Sequence, residues 1–137
     1  TKHPAGGGSE CILLVEDNVD LCQAVGQSLE TLGYKVLAAF EGATALHLAA
    51  QPNRAVDLVL SDMVMPGWNG LDLYAALLRH QPGATLLIMT GHPLSPAHVA
   101  ALQDQAGHWI QKPFTLVELA GRVRLALDQA SSGSPPS

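Results

Sequence analysis

Three strongly apolar runs in this chain each stop at a polar residue, and that pattern more than any other restricts the folds open to it. Cys11-Ile12-Leu13-Leu14-Val15 runs into Glu16-Asp17, Val56-Asp57-Leu58-Val59-Leu60-Ser61 runs into Asp62, and Leu86-Leu87-Ile88-Met89 runs into Thr90-Gly91. A weaker run, His108 to Gln111, is followed by Lys112-Pro113. Runs this short and this apolar suit strands covered on both faces. A strand that ends in a carboxylate carries it to the rim of a sheet, so parallel strands would gather all these groups at one edge.

The segments between the runs read as helices. Leu21, Val25, Leu29 and Leu32 recur at helical spacing after a plausible N-cap at Asn18, and Gly33 stands where a C-terminal glycine belongs. Tyr34 to Phe40 is expected as a second strand and Ala43 to Ala50 as a short helix ending before Gln51-Pro52. Asn69-Gly70 can open a helix carrying Leu71, Leu73, Tyr74, Leu77 and Leu78, and Thr85 to Met89 forms the fourth strand. Ser95-Pro96 is a strong helix start and Gly107 suits its end, but this fourth helix has few large apolar residues and should pack loosely. Thr115-Leu116-Val117-Glu118 is a capping box, opening a fifth helix with Leu116, Leu119, Val123 and Leu127 on one face. Five strands alternating with five helices demand a parallel sheet with right-handed crossovers, a doubly wound three-layer α/β sandwich. Ligands in such sheets sit beyond the carboxyl ends of the strands.

Bulk properties narrow the function. A chain of 137 residues, 47% of them hydrophobic, can bury one core. Twelve acids against seven bases give a charge of −5 with no Lys/Arg cluster, which disfavours direct nucleic-acid binding. Cys11 and Cys22 fit neither a zinc pattern nor a disulfide framework and are expected as buried, reduced thiols. No apolar stretch approaches the roughly 20 residues that cross a bilayer and no signal peptide is visible, so no membrane contact and a cytoplasmic location are expected. Residues 1–9 and 130–137 have the Gly/Ser/Pro composition of a linker and a flexible C-terminal tail, leaving 10–129 as the folded domain. Thr1 rather than Met opens the chain, as in a piece of a longer polypeptide, a processed N-terminus or appended residues.

Acids, a hydroxyl and an ammonium in one cleft suit a hard cation and a phosphoryl group. Mg²⁺ takes one or two protein carboxylates together with phosphate oxygens and water. Asp17 and Asp62 can supply two, with Glu16 acting through water. A carboxylate can also attack phosphorus to form an acyl phosphate, for which Asp62 is the candidate. Lys112 would stabilise the transferred charge, Thr90 could donate a hydrogen bond, and Gly91 leaves room for approach. Singly, Asp62 reads as a turn former, Glu16-Asp17 as complements of a helix N-terminus, and Lys112 as a loop lysine. Their joint placement after successive strands favours the chemical alternative.

Over residues 10–129 the chain resembles a receiver domain of two-component signalling. The resemblance lies in Leu14-Val15-Glu16-Asp17, Asp62-Met63-Val64-Met65-Pro66 with Gly70, Met89-Thr90-Gly91 and Lys112-Pro113-Phe114. It implies a flavodoxin-like fold with strand order 2-1-3-4-5. It further implies that Asp62 accepts phosphate from a histidine kinase or histidine phosphotransfer domain, and that Asp17, Asp62 and the Met63 backbone carbonyl bind Mg²⁺ with Glu16 nearby. Thr90 and Lys112 would contact the phosphoryl group, with Thr90 and an aromatic three residues before the lysine forming a switch. Trp109 holds that place here, where the family usually has Tyr or Phe; a fixed packing or partner-contact residue is the alternative reading of this larger indole. The resemblance also allows a homodimer through the fourth helix, fifth strand and fifth helix. Val64 lies two residues after Asp62 and His92 two after Thr90, positions that in the family influence loss of the phosphate. The Asp-Met-Val-Met-Pro-Gly-Trp-Asn-Gly stretch and the Ser/Pro tail resemble receivers attached to hybrid sensor histidine kinases, while a stand-alone regulator or one lacking its DNA-binding output domain would share the motifs.

Other classes fit less well. A haloacid-dehalogenase-type phosphohydrolase places a second acid two residues after its nucleophile, where this chain has Val64. A pseudo-receiver scaffold would not need the complete set Glu16, Asp17, Asp62, Thr90 and Lys112. A flavin- or dinucleotide-binding domain needs a glycine-rich loop where this chain has Glu16-Asp17-Asn18-Val19-Asp20. The remaining histidines, His3, His47, His80, His98 and His108, show no ligand spacing and are expected at the surface or in packing.

Overall fold

A computed structural model describes residues 8–65, 67–104 and 107–131. Most of the two expected tails and Pro66 lie outside the described residues. Five strands form one sheet: β1 (Cys11–Val15), β2 (Lys35–Ala39), β3 (Leu58–Asp62), β4 (Thr85–Thr90) and β5 (His108–Gln111). They are all parallel, in the order β2-β1-β3-β4-β5. The helices are α1 (Val19–Thr31), α2 (Gly42–Ala49), α3 (Gly70–Leu78), α4 (Pro96–Asp104) and α5 (Leu116–Ser131). This is the flavodoxin-like architecture that the alternation and the resemblance predict.

The strand residues divide between two cores with period two. Leu13, Val15, Val59, Leu86 and Ile88 face α2 and α3, while Ile12, Leu14, Leu58, Leu60, Leu87 and Met89 face α1 and α5. Both faces are covered, which is why the runs are continuously apolar.

Local chemistry sets the helix ends. Asn18 Oδ1 accepts the Leu21 N–H at 3.1 Å, and Asn69 Oδ1 accepts that of Asp72 at 2.8 Å. Ser95 Oγ accepts the His98 N–H at 3.2 Å. In the capping box, Glu118 Oε1 accepts the Thr115 N–H at 3.0 Å while Thr115 Oγ1 accepts that of Glu118 at 3.1 Å. Gly33 takes φ +101°, a left-handed conformation that costs glycine little. The loosely packed α4 has one buried residue, Leu102.

Four details differ from the sequence expectation. Leu116, the first residue of α5, is 46% exposed, and the helix packs through Leu119, Val123, Ala126 and Leu127. Cys11 is half-buried, since it is the first residue of β1, at the amino-terminal end of the sheet, whereas Cys22 is buried in α1. The second strand is shorter than Tyr34 to Phe40: Tyr34 is buried beside it and Phe40 is exposed after it. A small antiparallel ribbon, Val64–Met65 with Trp68–Asn69, sits between β3 and α3. Among the described residues, no helix is long and apolar enough to cross a membrane.

Candidate functional site

Register brings the candidate groups together. Val15 lies opposite Ser61, Asp62 opposite Met89 and Thr90 opposite Gln111, so the residues ending or following β1, β3, β4 and β5 share one rim. Glu16, Asp17 and Asp62 each offer a carboxylate oxygen within 4.8 Å of the others. Lys112 closes the opposite side, with Nζ 2.9 Å from Glu16 Oε1 and 3.5 Å from Asp62 Oδ1.

Glu16 is the buried member, 1% exposed. Besides Lys112 it holds the Asn18 N–H, which donates to Oε2 at 3.0 Å. Burial pushes its carboxyl pKa up, and Asp62 adds to the rise against the pull of Asn18 and Lys112. For Lys112, burial favours the neutral amine, but Glu16 and Asp62 outweigh it and raise its pKa, keeping the ammonium charged. Three oxygen donors around one point, one of them buried against its own charge, fit a hard divalent cation such as Mg²⁺.

Asp62 is positioned by its own backbone. The Met63 N–H donates to Asp62 Oδ1 at 2.9 Å, and Lys112 Nζ approaches the same oxygen. The Met63 carbonyl accepts the Gly70 N–H at 2.7 Å, and a carbonyl oxygen retains a second lone pair after one such bond. This close approach needs glycine: a Cβ on Gly70 would lie 2.8 Å from the Asp62 carbonyl oxygen and 2.6 Å from Ile88 Cδ1.

Thr90 is buried at the end of β4, and its hydroxyl donates to the His92 carbonyl at 2.6 Å while accepting the His92 N–H at 3.3 Å. To donate elsewhere it must give up the first bond. Trp109 stands opposite Ile88, two positions before Thr90 along β4, and packs partly buried against the α2–α3 core. Its carbonyl accepts Arg122 NH1 at 2.8 Å.

A cleft of about 380 Å³ adjoins Asp62, with Val64, Thr90, His92, His98 and Lys112 in its walls. His98 was expected merely at the surface or in packing; α4 sets it on the cleft wall. The weak apolar pattern of α4 carries no signal of which way that helix faces.

The family model described as response regulator receiver domain matches residues 12–124. Among curated proteins, the C4-dicarboxylate transport transcriptional regulatory protein DctD of Rhizobium meliloti (strain 1021) is 36% identical over 115 residues, covering 84% of this chain and 25% of that protein. The chain spans about a quarter to about a half of the length of the curated relatives it matches. Among solved structures, a response regulator receiver domain protein from Clostridium thermocellum aligns with TM-score 0.80 at 25% identity, covering 90% of this chain and 98% of that one. The receiver domain of the hybrid histidine kinase CckA aligns with TM-score 0.73 at 28% identity, covering 85% and 98%. Motif, fold and relatives agree, and the chain belongs to the response regulator receiver domain family of two-component signalling.

Proposed function

We propose that this receiver accepts a phosphoryl group on Asp62 from the phosphohistidine of a histidine kinase or histidine phosphotransfer domain, in a Mg²⁺-dependent reaction. The observation that carries this is the Asp62 carboxylate, held through Oδ1 by Met63 and faced by Lys112, with Glu16 and Asp17 oxygens within 4.8 Å. A carboxylate oxygen of Asp62 forms the new O–P bond as the donor's N–P bond breaks, and the leaving imidazole keeps the electron pair and takes a proton. Asp17, Asp62 and the Met63 carbonyl would hold Mg²⁺, with Glu16 through water, and the ion supplies charge neutralisation at the phosphoryl oxygens. Lys112 neutralises the same oxygens from the other side. Thr90 exchanges its bond to His92 for one to the phosphoryl group, pulling on the segment that leads into α4.

The consequence is a shift in population between two arrangements of α4, β5 and α5, read by a partner or by a second copy of the chain. The weak anchoring of α4 supports this output, while Trp109, wedged against the α2–α3 core, departs from the aromatic switch usual in the family. A transcriptional output, as the name of DctD describes, and a hybrid kinase, as for CckA, are alternative settings for the same module.

The test is intact-mass measurement after incubation with Mg²⁺ and a small acyl-phosphate donor. One phosphate is expected on the native protein and none on Asp62→Asn. Equal phosphate on both would remove Asp62 as acceptor, and unchanged loading in excess chelator would remove the metal.

A further inference from the structure

The sheet has a second polar end. Cys11 opens β1 opposite Lys35, which opens β2, and Asp57 immediately precedes β3. At about 3.3 Å per residue, this edge lies roughly 16 Å from the acidic rim. Together with Asn53 and Arg54 of the α2–β3 loop, these residues line a cavity of about 350 Å³, at the small end of the range for ligand pockets.

Its frame is fixed by backbone bonds. Asp57 Oδ2 accepts the Cys11 N–H at 2.9 Å, and the Asp57 N–H donates to the Cys11 carbonyl at 2.8 Å. Gln81 ties down the loop: Nε2 donates to the carbonyls of Ala49 at 2.9 Å and Arg54 at 2.7 Å, and Oε1 accepts the Val56 N–H at 3.0 Å. Asn53 completes the turn at φ 62°.

Lys112 and Arg124 are committed to acids, whereas Lys35 and Arg54, like Arg79 and Arg122, make no ion pair among the described residues; Lys35 and Arg54 line this cavity together, with Asp57. Both charges reach the Cys11 thiol: burial and then Asp57 push its pKa up, while Arg54 and Lys35 pull against the rise.

We propose that this cavity is an anion-binding site for a small molecule carrying a phosphate or carboxylate group, with Arg54 as the fork that engages two oxygens and Lys35 as a second positive charge. A guanidinium matches both oxyanions geometrically. Asp57 lies in the same wall and cancels one of the two charges, so binding is modest and weakens with salt. The site lies across the sheet from Asp62, so it acts without entering the phosphoryl cleft.

Cys11 is a built-in reporter, because Cys22 is fully buried. Its thiolate displaces iodide from iodoacetate or iodoacetamide, forming S–C and breaking C–I, while the thiol proton passes to buffer. The ratio of the two rates, anionic over neutral reagent, is expected to fall at least about fivefold in Lys35→Ala/Arg54→Ala, since one charge at contact distance supplies that factor in water and the variant removes two. Inorganic pyrophosphate and citrate, tried separately to tell phosphate from carboxylate, should protect Cys11 saturably in the native protein and not in the double variant. Amide shifts at Asn53, Arg54 and Ala55 during the same titrations give a reading that needs no alkylation. An unchanged rate ratio, protection retained in the variant, or shifts confined to Thr90 and Gly91 would overturn the proposal.

Discussion

At Glu16 two demands on one carboxylate conflict. Burial favours the protonated form, while Lys112 and the Asn18 N–H favour the charged one, and burial prevails with help from Asp62. A carboxyl whose folded pKa is raised contributes stability that is fully present below its unfolded value and is lost as pH rises through the folded one. In metal-free buffer, Glu16→Gln should therefore melt higher than the native protein at pH 7, with the gap closing as the pH falls toward the ordinary value of 4.5. The amide oxygen of Gln can still accept from Lys112. Added Mg²⁺ should stabilise the native protein by mass action and the variant less, reversing the order. Calorimetry across pH, with and without the ion, reads both effects; a gap that does not vary with pH would refute the burial argument. Val64 supplies the other residue-scale prediction. It is 72% exposed beside Asp62 and has no polar side-chain atom to orient a water, so the phosphorylated protein should persist for minutes or longer, and Val64→Asn should shorten its life. Decay of the native species within seconds, with Mg²⁺ present, would contradict this.

Among the elements, α3 is fixed to β3 by backbone contact and α4 is barely fixed at all. Gly70→Ala places a methyl group against the Asp62 carbonyl and Ile88, an overpacking that should cost about 1–3 kcal/mol and lower the rate of Asp62 loading, measured by denaturant unfolding and intact mass. In α4, by contrast, hydrogen exchange should be faster than in α1 or α5, because one buried leucine holds it. The caps at Asn18, Asn69, Ser95 and Thr115 were legible in the sequence because each is made within three residues along the chain. The convergence of Glu16, Asp62, Thr90 and Lys112 was legible for a related reason: parallel strands of similar length end at one rim. Periodicity gives a residue's angle on a helix but not its height against the sheet, which is how Leu116 was expected inside. The ribbon Val64–Met65 with Trp68–Asn69 is too short to show a period, and the strand order came from family resemblance because no local signal encodes it.

One side chain staples the last helix to the start of the first strand, adding to the core that α5 and β1 share. Arg124, on the last helix, reaches the residue before the first strand: NH1 and NH2 engage both oxygens of Glu10 at 3.1 and 2.6 Å. NH1 also meets Tyr34 Oη at 3.3 Å, and Nε donates to Asp128 at 3.0 Å. A fork–fork pair that joins α5 to the start of β1 and the buried Tyr34 bridges residues 114 apart in the chain, far beyond the reach of an i,i+4 surface pair. Arg124→Ala leaves Glu10 partly buried without its fork and should cost about 2 kcal/mol, the range for hydrogen bonds to charged groups. For a domain of this size that is a fall in Tm of roughly 5–10 °C. Arg124→Lys should recover less than half of it, because an ammonium cannot reproduce the two parallel bonds. The staple lies away from the acidic rim, so below both melting temperatures Asp62 should load at the native rate. An unchanged Tm in Arg124→Ala would show that these bonds merely replace equally good ones to water.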